Sequence, residues 1–181
     1  NIWKGQSQVI GVKTNGTLWM WGKNTMGNLG QNNRTHYSSP VQVPGTTWSG
    51  SVGHISAGHE MAGAIKTDGS LWMWGAGHEG QLSQNNRTHY SSPVQIPGTA
   101  WSLLQLKTGS SVAAIKTTGE LWTWGANSWG SLGRGNAADG PSGGRSSPCR
   151  VGSDTTWKNI VGGTSGYVAN KTDGTLWAWG Y

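Results

Sequence analysis

Two apolar runs joined by a polar turn recur four times along the chain. The second run reads Leu-Trp-x-Trp-Gly, at Leu18–Gly22, Leu71–Gly75, Leu121–Gly125 and Leu176–Gly180. The turns before it are Lys13-Thr14-Asn15-Gly16, Lys66-Thr67-Asp68-Gly69, Lys116-Thr117-Thr118-Gly119 and Lys171-Thr172-Asp173-Gly174. The four leucines are spaced by 53, 50 and 55 residues, a self-similarity that marks a repeat architecture. Side chains alternate along a strand, so Leu18 and Met20 point to one face while Trp19 and Trp21 point to the other. A sheet with one wet face would be polar at every second position; these runs are apolar on both faces, which predicts sheets sandwiched between neighbours. Asn-Gly and Asp-Gly between the runs predict a two-residue hairpin turn with positive φ at its centre.

The remaining pattern supplies two more strands per period. Ser-Ser-Pro-Val-Gln, as in 38–42, is a short strand bracketed by prolines; proline lacks a ladder N–H and belongs on an edge. A Gly-punctuated loop with one apolar plug, Leu29, lies before it, and Trp48, Trp101 and Trp157 each open a new unit. Residues 31–40 and 84–93 are the same ten residues. The reading is an all-β fold: four-stranded sheets of about 50 residues stacked as blades around an axis. Residues 1–181 form a single repeat domain, with blade cores ending at 22, 75, 125 and 180 and connecting segments 23–47, 76–100 and 126–156.

Composition narrows this further. With 31 Gly, 13 Trp, no Phe and only 11% charged residues, the chain suits short strands, tight turns and aromatic filling rather than surface helices. The net charge of +6 permits attraction to anions, but no run of Lys or Arg exists, so no specific nucleic-acid contact is expected. The single Cys149 excludes a disulfide framework and is read as a small buried hydrophobe. No stretch is long and apolar enough to span a bilayer, and no membrane insertion is expected.

Catalysis finds no footing in these residues. Asp68 and Asp173, among only seven acids, sit where turn chemistry wants them. Gly140-Pro141-Ser142-Gly143-Gly144 has the letters of Gly-x-Ser-x-Gly, but it lies within a Gly- and Pro-rich loop and not between a strand and a helix, as a nucleophile elbow must. His36 and His89 are equivalent positions on adjacent repeats, too far apart to share a metal, and His54, His59 and His78 lack ligand-like partners. The expectation is no enzyme, no cofactor and no metal. Lys13, Lys66, Lys116 and Lys171 repeat with the turns and are read as solubilising them, in preference to a cationic arc.

Eight tryptophans, Trp19 and Trp21, Trp72 and Trp74, Trp122 and Trp124, Trp177 and Trp179, repeat with the period and are read as packing between blades. Trp129 does not repeat: its counterparts are Met26 and Glu79. It stands beside a longer, Gly-rich loop containing Arg134, Asp139 and Arg145, and insertions confined to one repeat map to a rim. The candidate partner-binding residues are therefore Trp129, Arg134, Asp139 and Arg145, with Arg34, His36, Tyr37 and Arg87, His89, Tyr90 of the duplicated loops.

Trp-x-x-Ile-x-x-Gly, Ala-Ile-Lys-Thr-Asp-Gly-x-Leu-Trp-x-Trp-Gly, Asn-x-x-Gly-x-Leu-Gly and Ser-Ser-Pro-Val-Gln-Val-Pro-Gly together resemble the regulator of chromosome condensation repeat. The loop motif is complete at Asn24, Gly27, Leu29, Gly30 and at Asn127, Gly130, Leu132, Gly133; in the second copy Gly77 and Ser83 depart from it, which is expected to loosen that turn. The resemblance implies a β-propeller, commonly of seven blades, of which about three and a half are present; the chain is expected to be part of a larger ring or to complete one by pairing. It implies a non-enzymatic interaction module, with a protein partner or self-association through open blade faces. Near-verbatim repeats of this kind resemble those of phage virion or bacterial surface proteins (decoration, fibre or adhesin), so a virion or cell-surface location is expected. The alternatives are an enzyme regulator, either a GTPase exchange factor or an inhibitor, and a glycan-binding lectin.

Overall fold

The computed structural model describes residues 1–107, 110–135, 143–164 and 166–181. Its strands fall into four antiparallel sheets taken in chain order. The first holds β1 (Ile2–Lys4), β2 (Gln8–Val12), β3 (Leu18–Gly22) and β4 (Tyr37–Gln42), and the second β5 (Ile55–Ala57), β6 (Met61–Ile65), β7 (Leu71–Gly75) and β8 (Tyr90–Gln95). The third holds β9 (Trp101–Leu106), β10 (Ser111–Lys116), β11 (Leu121–Gly125) and β12 (Arg145–Arg150). The fourth has three strands, β13 (Trp157–Gly162), β14 (Gly166–Lys171) and β15 (Leu176–Gly180). Strands β1, β5, β9 and β13 are successive neighbours, so the sheets share one inner side, as propeller blades do.

Alternation places two apolar faces on every blade. The trailing face of the first blade, with Ile10, Leu18, Met20, Leu29 and Val43, packs on the leading face of the second, with Trp48, Ala62, Ala64 and Trp74. Ile65, Leu71, Met73, Leu82 and Ile96 meet Trp101, Val112, Ala114 and Trp124 in the same way. Ala113, Ile115 and Leu121 then meet Trp157, Tyr167 and Ala169. Each buried aliphatic or aromatic side chain contributes roughly 1.5–3 kcal/mol at such a joint. Hydrogen bonds fix the joints as well. Trp74 Nε1 donates to Asn28 O at 3.0 Å, Trp124 Nε1 to Gln81 O at 2.8 Å and Trp179 Nε1 to Ser131 O at 3.1 Å, each crossing to the preceding blade's loop. Trp21, the fourth of that series, is half-buried on the leading face of the first blade.

The hairpin turns differ from the two-residue expectation. Gly16 N–H donates to Lys13 O and Lys13 N–H to Thr17 O, and Gly16 takes φ +75° while Asn15 stays negative. This is a three-residue loop, a type I turn closed by a glycine bulge. The Asn or Asp acts through its side chain instead: Asn15 Oδ1 accepts from the N–H and hydroxyl of Thr17, and Asp68 and Asp173 accept likewise from Ser70 and Thr175. Cys149 is also corrected: it is half-exposed on β12, an edge strand paired only with β11, so one side of it has no sheet to bury against.

Candidate partner-binding rim

The Gly-punctuated loops stand above each joint. Asn24 organises the first: its Oδ1 accepts from Leu29 N–H at 2.8 Å, and its Nδ2 donates to Thr35 O at 3.0 Å. Asn127 Oδ1 repeats the first bond with Leu132 N–H at 3.0 Å. Leu29, Leu82 and Leu132 are all buried plugs. The second loop, expected to be looser, keeps the same succession of turn bonds, with Gly80 N–H donating to Gly77 O and Ser83 N–H to Gly80 O. Ser83 is held at φ +54°, where its counterparts Gly30 and Gly133 take +70° and +64°.

The duplicated loops share their anchoring bonds as they share their sequence. His36 Nδ1 accepts from Asn24 N–H at 2.8 Å, and His89 Nδ1 accepts from Gly77 N–H at 2.9 Å. Tyr37 OH accepts from Asn33 Nδ2 at 3.1 Å, and Tyr90 OH from Asn86 Nδ2 at 3.0 Å. The histidines and tyrosines thus tie the loops down, while Arg34 and Arg87 are exposed on top. The loops also clasp the following blade, Asn32 N–H donating to Ser91 O and Asn85 N–H to Ser146 O. Burial lowers the His89 pKa, with a smaller like-charge contribution from His78, whose ring lies 5.9 Å away. That ring therefore tends to stay neutral, as an Nδ1 acceptor must be.

Trp129 sits on a short 3₁₀ turn, Ser128–Gly130, in a left-handed conformation (φ 59°, ψ 32°) and is 74% exposed. Its ring lies 5.4 Å from that of Tyr181, and with Arg134 and Trp179 it borders a groove of about 320 Å³. Arg145 begins β12 opposite Gly125, half-exposed. Asp139 lies outside the described residues. The rim residues therefore form two groups: the paired loops over the first two blades, and Trp129 with Arg134 over the third.

The lysine series has a role that sequence reasoning missed. Lys66 Nζ lies 4.3 Å from the Trp72 ring centre and 5.0 Å from that of Trp48. Lys116 lies over Trp122 and Trp101 at 4.7 and 5.1 Å, and Lys171 over Trp177 and Trp157 at 4.2 and 4.9 Å. Each ammonium is clamped between two indoles, a cation–π arrangement that joins a hairpin to the strand opening its own unit. The signal was present as a Lys six positions before the first Trp of every Trp-x-Trp. Among the described residues, no group of three or more His, Cys, Asp or Glu side chains could hold a metal ion, and no helix is long and apolar enough to cross a membrane.

The profile of the regulator of chromosome condensation (RCC1) repeat matches residues 15–65, 68–111 and 118–169. The ultraviolet-B receptor UVR8 of Arabidopsis thaliana is 29% identical over 96 residues, covering 52% of this chain and 21% of the receptor. The X-linked retinitis pigmentosa GTPase regulator of Canis lupus familiaris is 29% identical over 92 residues, covering 51% of this chain and 9% of the regulator. The crystal structure of Prp20p from Saccharomyces cerevisiae, a protein described with its binding to Gsp1p and histones, superposes with a TM-score of 0.82 at 19% identity, over 100% of this chain and 44% of that one. Human WBSCR16 superposes with a TM-score of 0.82 at 17% identity, over 99% of this chain and 46% of its own. The chain thus spans less than half the length of these relatives. Matching three successive repeats in sequence and an RCC1 propeller in shape, it belongs to the regulator of chromosome condensation repeat family.

Proposed function

We propose that this propeller is a non-enzymatic protein-binding module that presents its rim to a partner from a virion or cell surface. The observation that carries the reading is the pair of duplicated loops. Internal histidine, asparagine and tyrosine bonds hold them in one shape and leave Arg34 and Arg87 outward. A preordered loop loses little entropy on binding, and exposed Arg, with Trp129 exposed on the third blade, are residue types enriched in interface hot spots. Near-identical neighbouring repeats support a display protein, since they offer the same contact twice. The test uses antibody against the chain for immunogold labelling, and capture of a partner by wild-type protein and by the Arg34→Glu/Arg87→Glu/Trp129→Ala variant. Surface or particle labelling, and a partner whose binding falls at least about tenfold in the variant, are expected. Labelling confined to the cell interior, or capture indifferent to the variant, would overturn it.

A second reading, nucleotide exchange on a small GTPase, is supported by the GTPase regulator among the relatives and by the Gsp1p binding of Prp20p. Release of a fluorescent GDP analogue from a GTPase, with and without this chain, separates the two. The rim-display reading expects no acceleration.

A further inference from the structure

The three clamped lysines differ in what else meets them. Lys171 Nζ is also held by Asp154 Oδ2 at 2.5 Å, and the residue is 8% exposed. Asp154 belongs to residues 151–156, the connection between β12 and β13, which is one residue longer than its counterparts 43–47 and 96–100. Arg150 Nη2 donates to Ser153 O at 2.7 Å and braces the bend that presents this carboxylate. The Asp154 side chain is half-exposed, so it meets the ammonium from the solvent side. Trp157 Nε1 is buried without a partner even so, which leaves the ammonium as the group that recognises the acid.

Lys66 shares its turn with Asp68, whose carboxyl is held low by hydrogen bonds from Ser70 and, in smaller part, by the Lys66 charge. The Lys116 turn has no acid at that place. Thr118 stands at the position of Asp68 and Asp173, and Glu120 is drawn to Arg150 at 3.1 Å. The connection before this hairpin's unit, 96–100, reads Ile-Pro-Gly-Thr-Ala and contains no acid either. A Cβ on Gly98 would lie 3.7 Å from Lys116 Nζ, so bare backbone flanks this ammonium where the longer connection puts Asp154 beside Lys171. Among the described residues no acid pairs with Lys116, which is half-buried.

We infer that Lys116 is a carboxylate-binding site at the hairpin end of the third blade, taking an Asp or Glu side chain from an acidic segment of a partner protein as Lys171 takes Asp154. Trp101 and Trp122 hold the ammonium over their rings, 5.1 and 4.7 Å from the ring centres, and leave it N–H donors for an acid. A cation held this way is ordered before the partner arrives, so little side-chain entropy is lost on binding. Its bonds to a carboxylate are charge-assisted, the stronger class. Gly98 and Thr99 of the shorter connection are exposed, so an outside chain can reach the place that Asp154 takes one blade on. The net charge of +6 favours the approach of acidic partners. The β10–β11 hairpin and the Gly-punctuated loop after β11 leave that strand at opposite ends, so the site is remote from the rim and does not depend on the rim reading.

The probe is a blocked synthetic peptide of residues 151–156, Val-Gly-Ser-Asp-Thr-Thr, titrated into the isotope-labelled full chain. Saturable shifts are expected at the indole N–H of Trp101 and Trp122 and at the amides of Gly98 and Lys116, with none at Trp157 or Trp177. The peptide carrying Asp154→Asn is expected to bind at least about tenfold more weakly. Lys116→Met in the chain, which keeps an apolar stem on the indoles, is expected to abolish the shifts. A second variant leaves the third blade untouched: Asp154→Asn in the chain vacates Lys171, and new peptide shifts at Trp157 and Trp177 are expected. Failure of the parent peptide to saturate, equal binding by the Asn peptide, or shifts that persist in Lys116→Met would overturn the proposal. So would sodium acetate binding as tightly as the peptide, because the site would then belong to small free carboxylates and not to a protein segment.

Discussion

Single residues carry the departures from repeat symmetry, and each has a measurable consequence. Ser83 occupies a position where its counterparts are glycine: it takes φ +54°, is 2% exposed, and its Oγ is buried without a partner. A left-handed conformation costs a non-glycine residue roughly 1–2 kcal/mol, and an unsatisfied buried hydroxyl adds a comparable amount. Gly loses about 0.5–1 kcal/mol more chain entropy on folding, so Ser83→Gly is expected to stabilise the fold by about 1 kcal/mol, read from urea midpoints. An unchanged or lower midpoint would show that the strain is relieved elsewhere. The sequence signalled this departure as a loosened turn; only the coordinates show the turn kept and the cost placed on one residue.

At the scale of elements, the hairpin turn contains a relay. Trp19 Nε1 donates to Thr17 Oγ1, which donates to Asn15 Oδ1; Trp72, Ser70 and Asp68 repeat it, as do Trp177, Thr175 and Asp173. The third repeat breaks it. Thr118 and Glu120 stand in the relay positions, Glu120 pairs with Arg150 at 3.1 Å, and Trp122 Nε1 is buried without a partner. The Thr118→Asp/Glu120→Thr variant is expected to gain about 1 kcal/mol: two hydrogen bonds form, one to a buried donor, against loss of a partly exposed ion pair. Thermal denaturation of the double variant and of Glu120→Thr alone checks this, since the single change supplies only part of the relay. Turn positions were legible in the sequence because Gly punctuates them, but the relay was not, because the alternation that sends Trp away from its turn hides the bond between them.

Across the whole molecule, stability follows which joints are closed. Leu71→Ala is expected to cost about 2–5 kcal/mol, because its site between two blades is fully buried. Leu176→Ala is expected to cost under about 1 kcal/mol in the chain alone, because the side chain is already 73% in water. Equal losses in the two variants would mean that the fourth blade is covered in solution. Acid should act on the molecule in two stages. His54 has its pKa lowered from 6.5 by burial, so the unfolded chain takes up that proton first and stability declines as pH falls below about 6.5. Hydrogen bonds from Ser70 and Thr175 hold the exposed Asp68 and Asp173 carboxyls below 3.8. Their contribution is present above that value and disappears as pH falls through the lower folded pKa. Urea midpoints against pH should become shallower between 5 and about 6.5 in His54→Gln, with His89, also lowered by burial, keeping part of the slope, and should flatten below about 4 in Asp68→Asn/Asp173→Asn. A slope that neither change alters would place the titration in other groups.

The sequence by itself determined the blades. A Trp-x-Trp hairpin apolar on both faces cannot rest in water, so its periodicity demanded stacked sheets. Gly at each turn and Pro at each outer strand marked where those sheets begin and end. Which polar groups are free to act was left to the tertiary structure. Lys66, His36 and Tyr37 look alike in a string whether they face solvent or not; the fold clamps one ammonium between two indoles and ties the others to backbone and side chain.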